Sequence, residues 1–268
     1  MEHLLSAWSK VVQQLKSASH ILLLLDYDGT LTPIVPRPEL ANLPADVRQL
    51  LQALTRQRRL TLAVISGRAL ADIKEKVGIN GIIYAGNHGL EIEGTGISFV
   101  SPLAEEFKPV LRQMHYVLSQ ALGAVKGVLV EDKGLTLSVH YRQVADDKIA
   151  EVKDIFERIT GDTARLGRIR ITPGKKVYEI KPVVAWDKGK VVQILMERCG
   201  EGGRRSGLRP IYLGDDLTDE DGFRAVENYG GGISVFVGGR NSPTSARYFL
   251  ESPGEVARFM SLLLEETR

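Results

Sequence analysis

Residues 21–26, Ile-Leu-Leu-Leu-Leu-Asp, place five aliphatic side chains in an unbroken row and then a carboxylate, with Asp28 two residues further on. A run this short and this apolar cannot alternate between core and solvent. It fits a strand buried on both faces, the kind found inside a parallel sheet covered by helices. Two further runs, 60–66 (LTLAVIS) and 81–86 (GIIYAG), have the same character. Between them lie amphipathic stretches. Pro44 and Asp46 open one that continues to Arg58, with Val47, Leu50, Leu51 and Leu54 at helical spacing, and 69–77 makes another. The alternation returns at the end: a helix over 190–198, the run 209–216 (RPIYLGDD), a helix from about Asp219, the run 232–238 (GISVFVG), and a last helix from Pro253. This order predicts an α/β fold, a Rossmann-like doubly wound parallel sheet.

The middle of the chain follows another rule. A long helix over about 103–122 leads to two short apolar runs, 127–131 and 135–142, which Asp132, Lys133 and Gly134 join as a hairpin. A helix over about 145–159 and a second hairpin, turned at Pro173–Gly174, complete a helix–hairpin–helix–hairpin unit with an antiparallel sheet. The expected organisation is a core domain made of 1–101 and 185–268, interrupted by an α+β domain over 102–184.

Composition excludes several classes. Thirty-five Lys and Arg against 33 Asp and Glu give a net charge of +2, which exerts no global pull on nucleic acid or a membrane surface. The basic clusters at Arg56–Arg59 and Arg204–Arg205 read as a solvated face and a polar loop. Cys199 is the only cysteine, so no disulfide forms within the chain, in keeping with a reducing compartment. The apolar run at 21–25 is far too short to span a bilayer, and the first residues lack the pattern of a secretory signal. A cytoplasmic location is expected.

In an open α/β sheet ligands bind beyond the carboxyl ends of the strands. Here those ends carry Asp26 and Asp28, then Ser66, Gly67 and Arg68, then Asn87 and His88, then Asp215 and Asp216. The leucines bury the first strand and its end delivers two acids to a crevice. A pair of like charges about 4 Å apart at an effective dielectric near 20 costs roughly 4 kcal/mol. A hard divalent cation with oxygen ligands, Mg²⁺, would offset that repulsion, as would a lysine such as Lys188.

The stretches DYDGT (26–30), VISGR (64–68), the lysine at 188 and GDDLTDED (214–221) resemble the four motifs of the haloacid dehalogenase (HAD) superfamily of phosphotransferases, in the family's order. The resemblance implies roles. Asp26 would be the nucleophile that carries a covalent aspartyl-phosphate, and Asp28 the general acid and base. Ser66 and Lys188 would hold phosphate oxygens, and Gly29 and Thr30 would donate to the phosphate. Asp26, the backbone carbonyl of Asp28 and Asp215 would bind Mg²⁺, with Asp216 or Asp219 in support.

The inserted unit narrows the resemblance. Together with ISGR and GDDLTDED, the segments GNHGLE (86–91), VEDKGLTLSVHYR (130–142) and YEIKP (178–182) are similar to the trehalose-6-phosphate phosphatase family, whose cap domain lies between the second and third motifs. That family's substrate contacts fall on Arg68, Asn87, His88, Glu131, Lys133, Arg142 and Glu179. The implied substrate is a sugar phosphate, with a functional link to a trehalose-phosphate synthase. Lys181 departs from the arginine common there and is left outside the site, and His140 stands open between ligand contact and sheet surface. Glu220 reads as a charge favouring a helix N-terminus. Gly230–Gly232 lack the following lysine of a nucleotide loop. Two alternatives are a related phosphatase for another phospho-sugar, such as sucrose 6-phosphate, and a non-catalytic sensor. An intact Asp26–Asp28 pair argues against the sensor, because a pure binder has no use for a nucleophile.

Overall fold

The computed structural model describes residues 1–200 and 207–268, so Arg204 and Arg205 lie outside the described residues. Two compact units emerge: 1–98 with 186–268, and 99–185. The chain enters through β1 (Glu2–His3), α1 (Trp8–Ser17), β2 (His20–Leu25), α2 (Ala45–Thr55), β3 (Leu60–Ile65), α3 (Leu70–Val77), β4 (Ile83–Gly86), β5 (Glu91–Gly94) and β6 (Ile97–Val100). The inserted unit follows with α4 (Pro102–Glu106), α5 (Lys108–Leu122), β7 (Leu129–Asp132), β8 (Leu137–His140), α6 (Ile149–Arg165), β9 (Ile169–Gly174) and β10 (Val177–Pro182). The chain closes with α7 (Lys188–Gly200), β11 (Leu208–Gly214), α8 (Glu220–Asn228), β12 (Ile233–Val237), β13 (Tyr248–Leu250) and α9 (Pro253–Thr267).

The larger sheet has the order β1-β13-β12-β11-β2-β3-β4-β5-β6. From β1 to β4 every pairing is parallel, and β5 returns antiparallel to β4. All six residues of β2 are buried, as its composition requires. Leu23 and Leu25 pack into a core shared with Val11 and Leu15 of α1, Leu51 and Leu54 of α2, and Phe259 and Leu263 of α9. Burying one such side chain is worth about 1.5–3 kcal/mol. The parallel register sets the carboxyl ends of β11, β2, β3 and β4 along one edge, which is where the acids emerge.

The smaller sheet, order β7-β8-β10-β9, is wholly antiparallel. One face packs on α5 and α6, with Leu111, Leu118, Phe156, Val139 and Ile180 buried together. Tyr178 stacks on Phe156 at 4.5 Å and on Tyr141 at 4.9 Å between ring centres. Period-two alternation then turns Glu131, Ser138 and Glu179, which lie in cross-strand register, to the opposite face.

Two local expectations are corrected. The helix over 103–122 is two helices broken at Phe107, because Pro109 lacks the amide an interior helical residue donates and is tolerated only in the first turn of a new helix. The second hairpin turns at Lys175–Lys176, two residues past Pro173–Gly174, with Lys176 in the left-handed region at φ 65°. β9 is an edge strand, where a proline's missing donor costs no ladder bond, so Pro173 stays in the strand. Among the described residues no helix is long and apolar enough to cross a membrane.

Candidate active site

Asp26 is the first residue beyond β2, and its amide donates to the Leu213 carbonyl of the neighbouring β11 at 2.9 Å. The chain then turns sharply: the Tyr27 carbonyl accepts from Leu31 N at 2.9 Å and from Thr32 N at 3.1 Å. Gly29 stands at the centre of the turn with φ 90°. A Cβ there would strike the Asp215 carboxylate, so glycine is required both by the backbone angle and by the approach of the next acid. Gly214, at the end of β11, likewise makes room for the Asp219 carboxylate.

Lys188, the first residue of α7, is 3% exposed and places Nζ 2.7 Å from Asp26 Oδ1 and 2.6 Å from Asp219 Oδ1. Tyr212 donates its hydroxyl to the same Asp219 oxygen at 2.7 Å. The other oxygen of Asp219 accepts from the amides of Asp215 and Asp216 at 3.1 and 3.0 Å. Burial pushes the Asp26 carboxyl well above its ordinary 3.8, Lys188 pulls it down, and Asp219 and Asp215 raise it again. Burial opposes the charge on Lys188, but Asp219 and Asp26 more than offset this and hold the ammonium well above its usual range. Burial, then the charge of Asp219, keeps the Tyr212 phenol protonated.

The buried carboxylates of Asp26, Asp215 and Asp219 offer oxygens that lie within 4.8 Å of one another. Three carboxylates around one ammonium leave an excess of negative charge, and a hard cation fits that oxygen set. Asp216, expected beside Asp215, instead turns its carboxylate to the Leu217 amide at 2.6 Å and caps the short 3₁₀ turn Leu217–Asp219. That turn swings Asp219 inward and Asp216 outward. The Thr30 hydroxyl is fully buried without a hydrogen-bond partner, an orphaned donor of the kind a bound group would satisfy. The amides of Gly29 and Thr30 are already tied to the Thr32 and Tyr27 carbonyls, at 2.8 and 3.4 Å.

Asp28 lies apart from Lys188 and is held by Arg68, whose Nε and Nη2 each donate to one of its oxygens at 2.7 Å. Ser66, at the end of β3, is buried and accepts from the Arg68 amide at 3.2 Å. Asn87 and His88 both occupy the left-handed region, at φ 50° and 56°, a strained arrangement for side chains other than glycine. Their amides donate to the carbonyls of Arg68 and Ser66 at 2.7 and 2.9 Å, which stitches the ends of β3 and β4 together. Asn87 also donates Nδ2 to Glu91 at 2.7 Å.

In the inserted unit Glu179 receives Lys133 Nζ at 3.3 Å on one oxygen and Lys181 Nζ at 2.9 Å on the other. Lys181, left outside the expected site, thus lies in direct contact with one of its residues. Glu131 pairs with His140 Nε2 at 2.8 Å. Arg142 lies past the end of β8, exposed, and donates to the Lys175 carbonyl. It is not drawn into the Glu179 cluster. Tyr212 was invisible in the sequence as a polar partner, because a tyrosine in RPIYLG reads as core. Asp72 carried a signal, since it stands four residues after Arg68, the spacing of a helical ion pair.

A family model described as trehalose-phosphatase matches residues 24–254. "Probable trehalose-phosphate phosphatase 3" of Oryza sativa subsp. japonica is 33% identical over 274 residues, which covers 97% of this chain and 73% of that protein. The C-terminal domain of a trehalose-6-phosphate phosphatase from C. albicans shares the fold, with a TM-score of 0.81 at 23% identity over 96% of each chain. A haloacid dehalogenase-like hydrolase from Bacteroides thetaiotaomicron shares it at a TM-score of 0.62 and 18% identity, over 91% of this chain and 99% of its own.

Proposed function

The chain belongs to the trehalose-phosphatase family, and from that premise we propose how it hydrolyses trehalose 6-phosphate to trehalose and inorganic phosphate: Asp26 attacks phosphorus and Asp28 moves the protons. The observation that carries this reading is the buried contact of 2.7 Å between Lys188 and Asp26. Burial alone would keep the Asp26 carboxyl protonated and poor as a nucleophile, and the ammonium works against that. Asp219, engaged by four donors, fixes the ammonium that faces Asp26.

In the first step a bond forms between an Asp26 oxygen and phosphorus while the bond from phosphorus to the sugar oxygen breaks. The electron pair of the broken bond stays on the sugar oxygen, which takes the proton of Asp28. In the second step Asp28, now ionised, accepts a proton from a water whose oxygen bonds to phosphorus, and Asp26 leaves as a carboxylate. Ser66 and Lys188 hold phosphate oxygens, and the buried Thr30 hydroxyl is placed to donate. Asp26, Asp215 and the Asp28 carbonyl would hold Mg²⁺, with Asp219 in support. When bound, the ion offsets phosphate charge. Glu131, Lys133, Glu179 and Arg142 of the inserted unit read the sugar hydroxyls, with Asn87 and His88 as further contacts implied by family resemblance.

A phosphate-release assay over trehalose 6-phosphate, sucrose 6-phosphate and glucose 6-phosphate tests the substrate. Trehalose 6-phosphate should have the highest kcat/KM, and a higher value for sucrose 6-phosphate would refute the substrate reading. Metal binding is read by thermal unfolding. Mg²⁺ at a hundred times its Kd should stabilise the folded protein by about 2.7 kcal/mol, and Asp215→Asn should remove that gain. No shift in Tm with Mg²⁺ would overturn the metal assignment.

A further inference from the structure

Arg68 stands at the mouth of the first motif with its guanidinium held on several sides. Its side chain is 8% exposed. Nε and one N–H of Nη2 grip the two oxygens of Asp28 at 2.7 Å each, the second N–H of Nη2 donates to the Pro38 carbonyl at 2.9 Å, and Nη1 donates to Asp72 Oδ2 at 2.8 Å. Its central carbon lies 5.4 Å from the centre of the buried Tyr27 ring. Four of the five donors of the guanidinium are thus spent inside one unit of the protein. The main chain is fixed as well, by Ser66 and Asn87.

A guanidinium so occupied has little left to offer a sugar. Asp28, by contrast, is 38% exposed, and Arg68 is its only ion-pair partner among the described residues. We propose that Arg68 is a positioning residue for Asp28, and that Asp72, together with the Pro38 carbonyl, fixes Arg68 in that task. The planar fork sets both the place and the plane of the Asp28 carboxylate, which a lysine could not do. Asp72 sits in the first turn of α3, so the chain of contacts anchors the proton-transferring group to a helix rather than to the turn that carries it. This inference rests on the assignment of Asp28 as the acid that protonates the leaving oxygen.

That role gives a readout which a merely structural one would not move. An alkoxide is a poor leaving group and needs the proton of Asp28 as the bond to phosphorus breaks. A p-nitrophenolate leaves as a stable anion and does not. Because kcat/KM covers only the steps through loss of the alcohol, it isolates this event from the later attack of water. Loss of a well-placed general acid costs about 10²- to 10⁴-fold. Partial misplacement should therefore lower kcat/KM for trehalose 6-phosphate by about tenfold in Asp72→Asn and Asp72→Ala, while the value for p-nitrophenyl phosphate stays within about twofold of the wild type. Asp72→Glu should recover part of the loss. Thermal unfolding establishes that each variant is folded. Equal losses on both substrates, or no loss on either, would overturn the proposal. If the wild-type enzyme prefers another sugar phosphate, the substrate reading fails but the contrast is measured on that ester instead, so the two failures remain distinct.

Discussion

Lys188 in the core unit and Glu179 in the inserted unit are mirror images in charge. One ammonium faces two carboxylates at 2.7 and 2.6 Å in the first, and one carboxylate faces two ammonium groups at 3.3 and 2.9 Å in the second. The core cluster, with Asp215 added, carries surplus negative charge and is deeply buried. It suits a hard cation, whose charge would offset that of the carboxylates and of an anionic phosphoryl group. The cluster on the inserted sheet has more ammonium groups than carboxylates around Glu179, with Glu131 and His140 beside it still 28% and 22% exposed. Such a surface suits neutral hydroxyls, each read by a modest contact. On the function proposed above, the difference would assign chemistry to one unit and recognition to the other.

The sharpest way to break this division is to remove the nucleophile. Asp26→Asn should abolish phosphate release from trehalose 6-phosphate and from p-nitrophenyl phosphate alike, since an amide cannot form the acyl-phosphate. A trapped phospho-enzyme mapped to any other residue would overturn the mechanism. The next effect is on stability. Lys188→Met leaves Asp26 and Asp219 buried without their cation, and breaking a buried pair from one side costs about 3–5 kcal/mol, to be read from urea unfolding of the metal-free protein. The sign of its pH dependence follows from Asp26. A carboxyl whose folded pKa stands above its ordinary 3.8 binds protons more tightly in the folded state. The stability from protonated Asp26 is present below 3.8 and is lost as pH rises through the folded value. The deficit of the variant should therefore narrow toward pH 4 and widen above it. A deficit independent of pH would show that Lys188 does not govern the ionisation of Asp26.

How much of this was legible before the structure depends on whether one residue's neighbours in sequence are also its neighbours in space. Ile21–Leu25 announce a doubly buried strand because five aliphatic residues in a row leave no face for solvent, and in an open α/β sheet the end of such a strand is a ligand edge. Lys188 could be offered as a counter-charge from the sequence, but its role came only from resemblance, since 162 positions separate it from Asp26. Choosing between Asp216 and Asp219 was beyond sequence, because both stand in one acidic run and a single 3₁₀ turn decides which points inward. Pro173–Gly174 carries the chemistry of a turn, yet the free edge of β9 absorbs the proline and the turn falls later. Arg68 stood as a substrate contact only by family resemblance, and nothing local revealed that Asp28, Asp72 and Pro38 would engage its fork.

The smallest effects belong to the inserted sheet, and they distinguish residues that sequence treated alike. Glu131 and Arg142 both stood as sugar contacts. In the structure Glu131 lies in the cross-strand row with Ser138 and Glu179, with His140 at 2.8 Å to fix its carboxylate. Arg142 lies beyond the strand and spends a donor on the Lys175 carbonyl. A charged hydrogen bond lost from a recognition surface costs about 1–3 kcal/mol in kcat/KM, so Glu131→Ala should fall in that range for trehalose 6-phosphate. Hydrolysis of p-nitrophenyl phosphate, which offers no second sugar, should hardly change. Arg142→Ala should cost less than Glu131→Ala, since an exposed, flexible side chain loses more freedom on being fixed against a hydroxyl than a carboxylate already held by His140. A cap variant that stays folded and loses both activities equally would refute the separation of recognition from chemistry. An Arg142→Ala loss larger than that of Glu131→Ala would place the sugar at the end of the sheet rather than along its row.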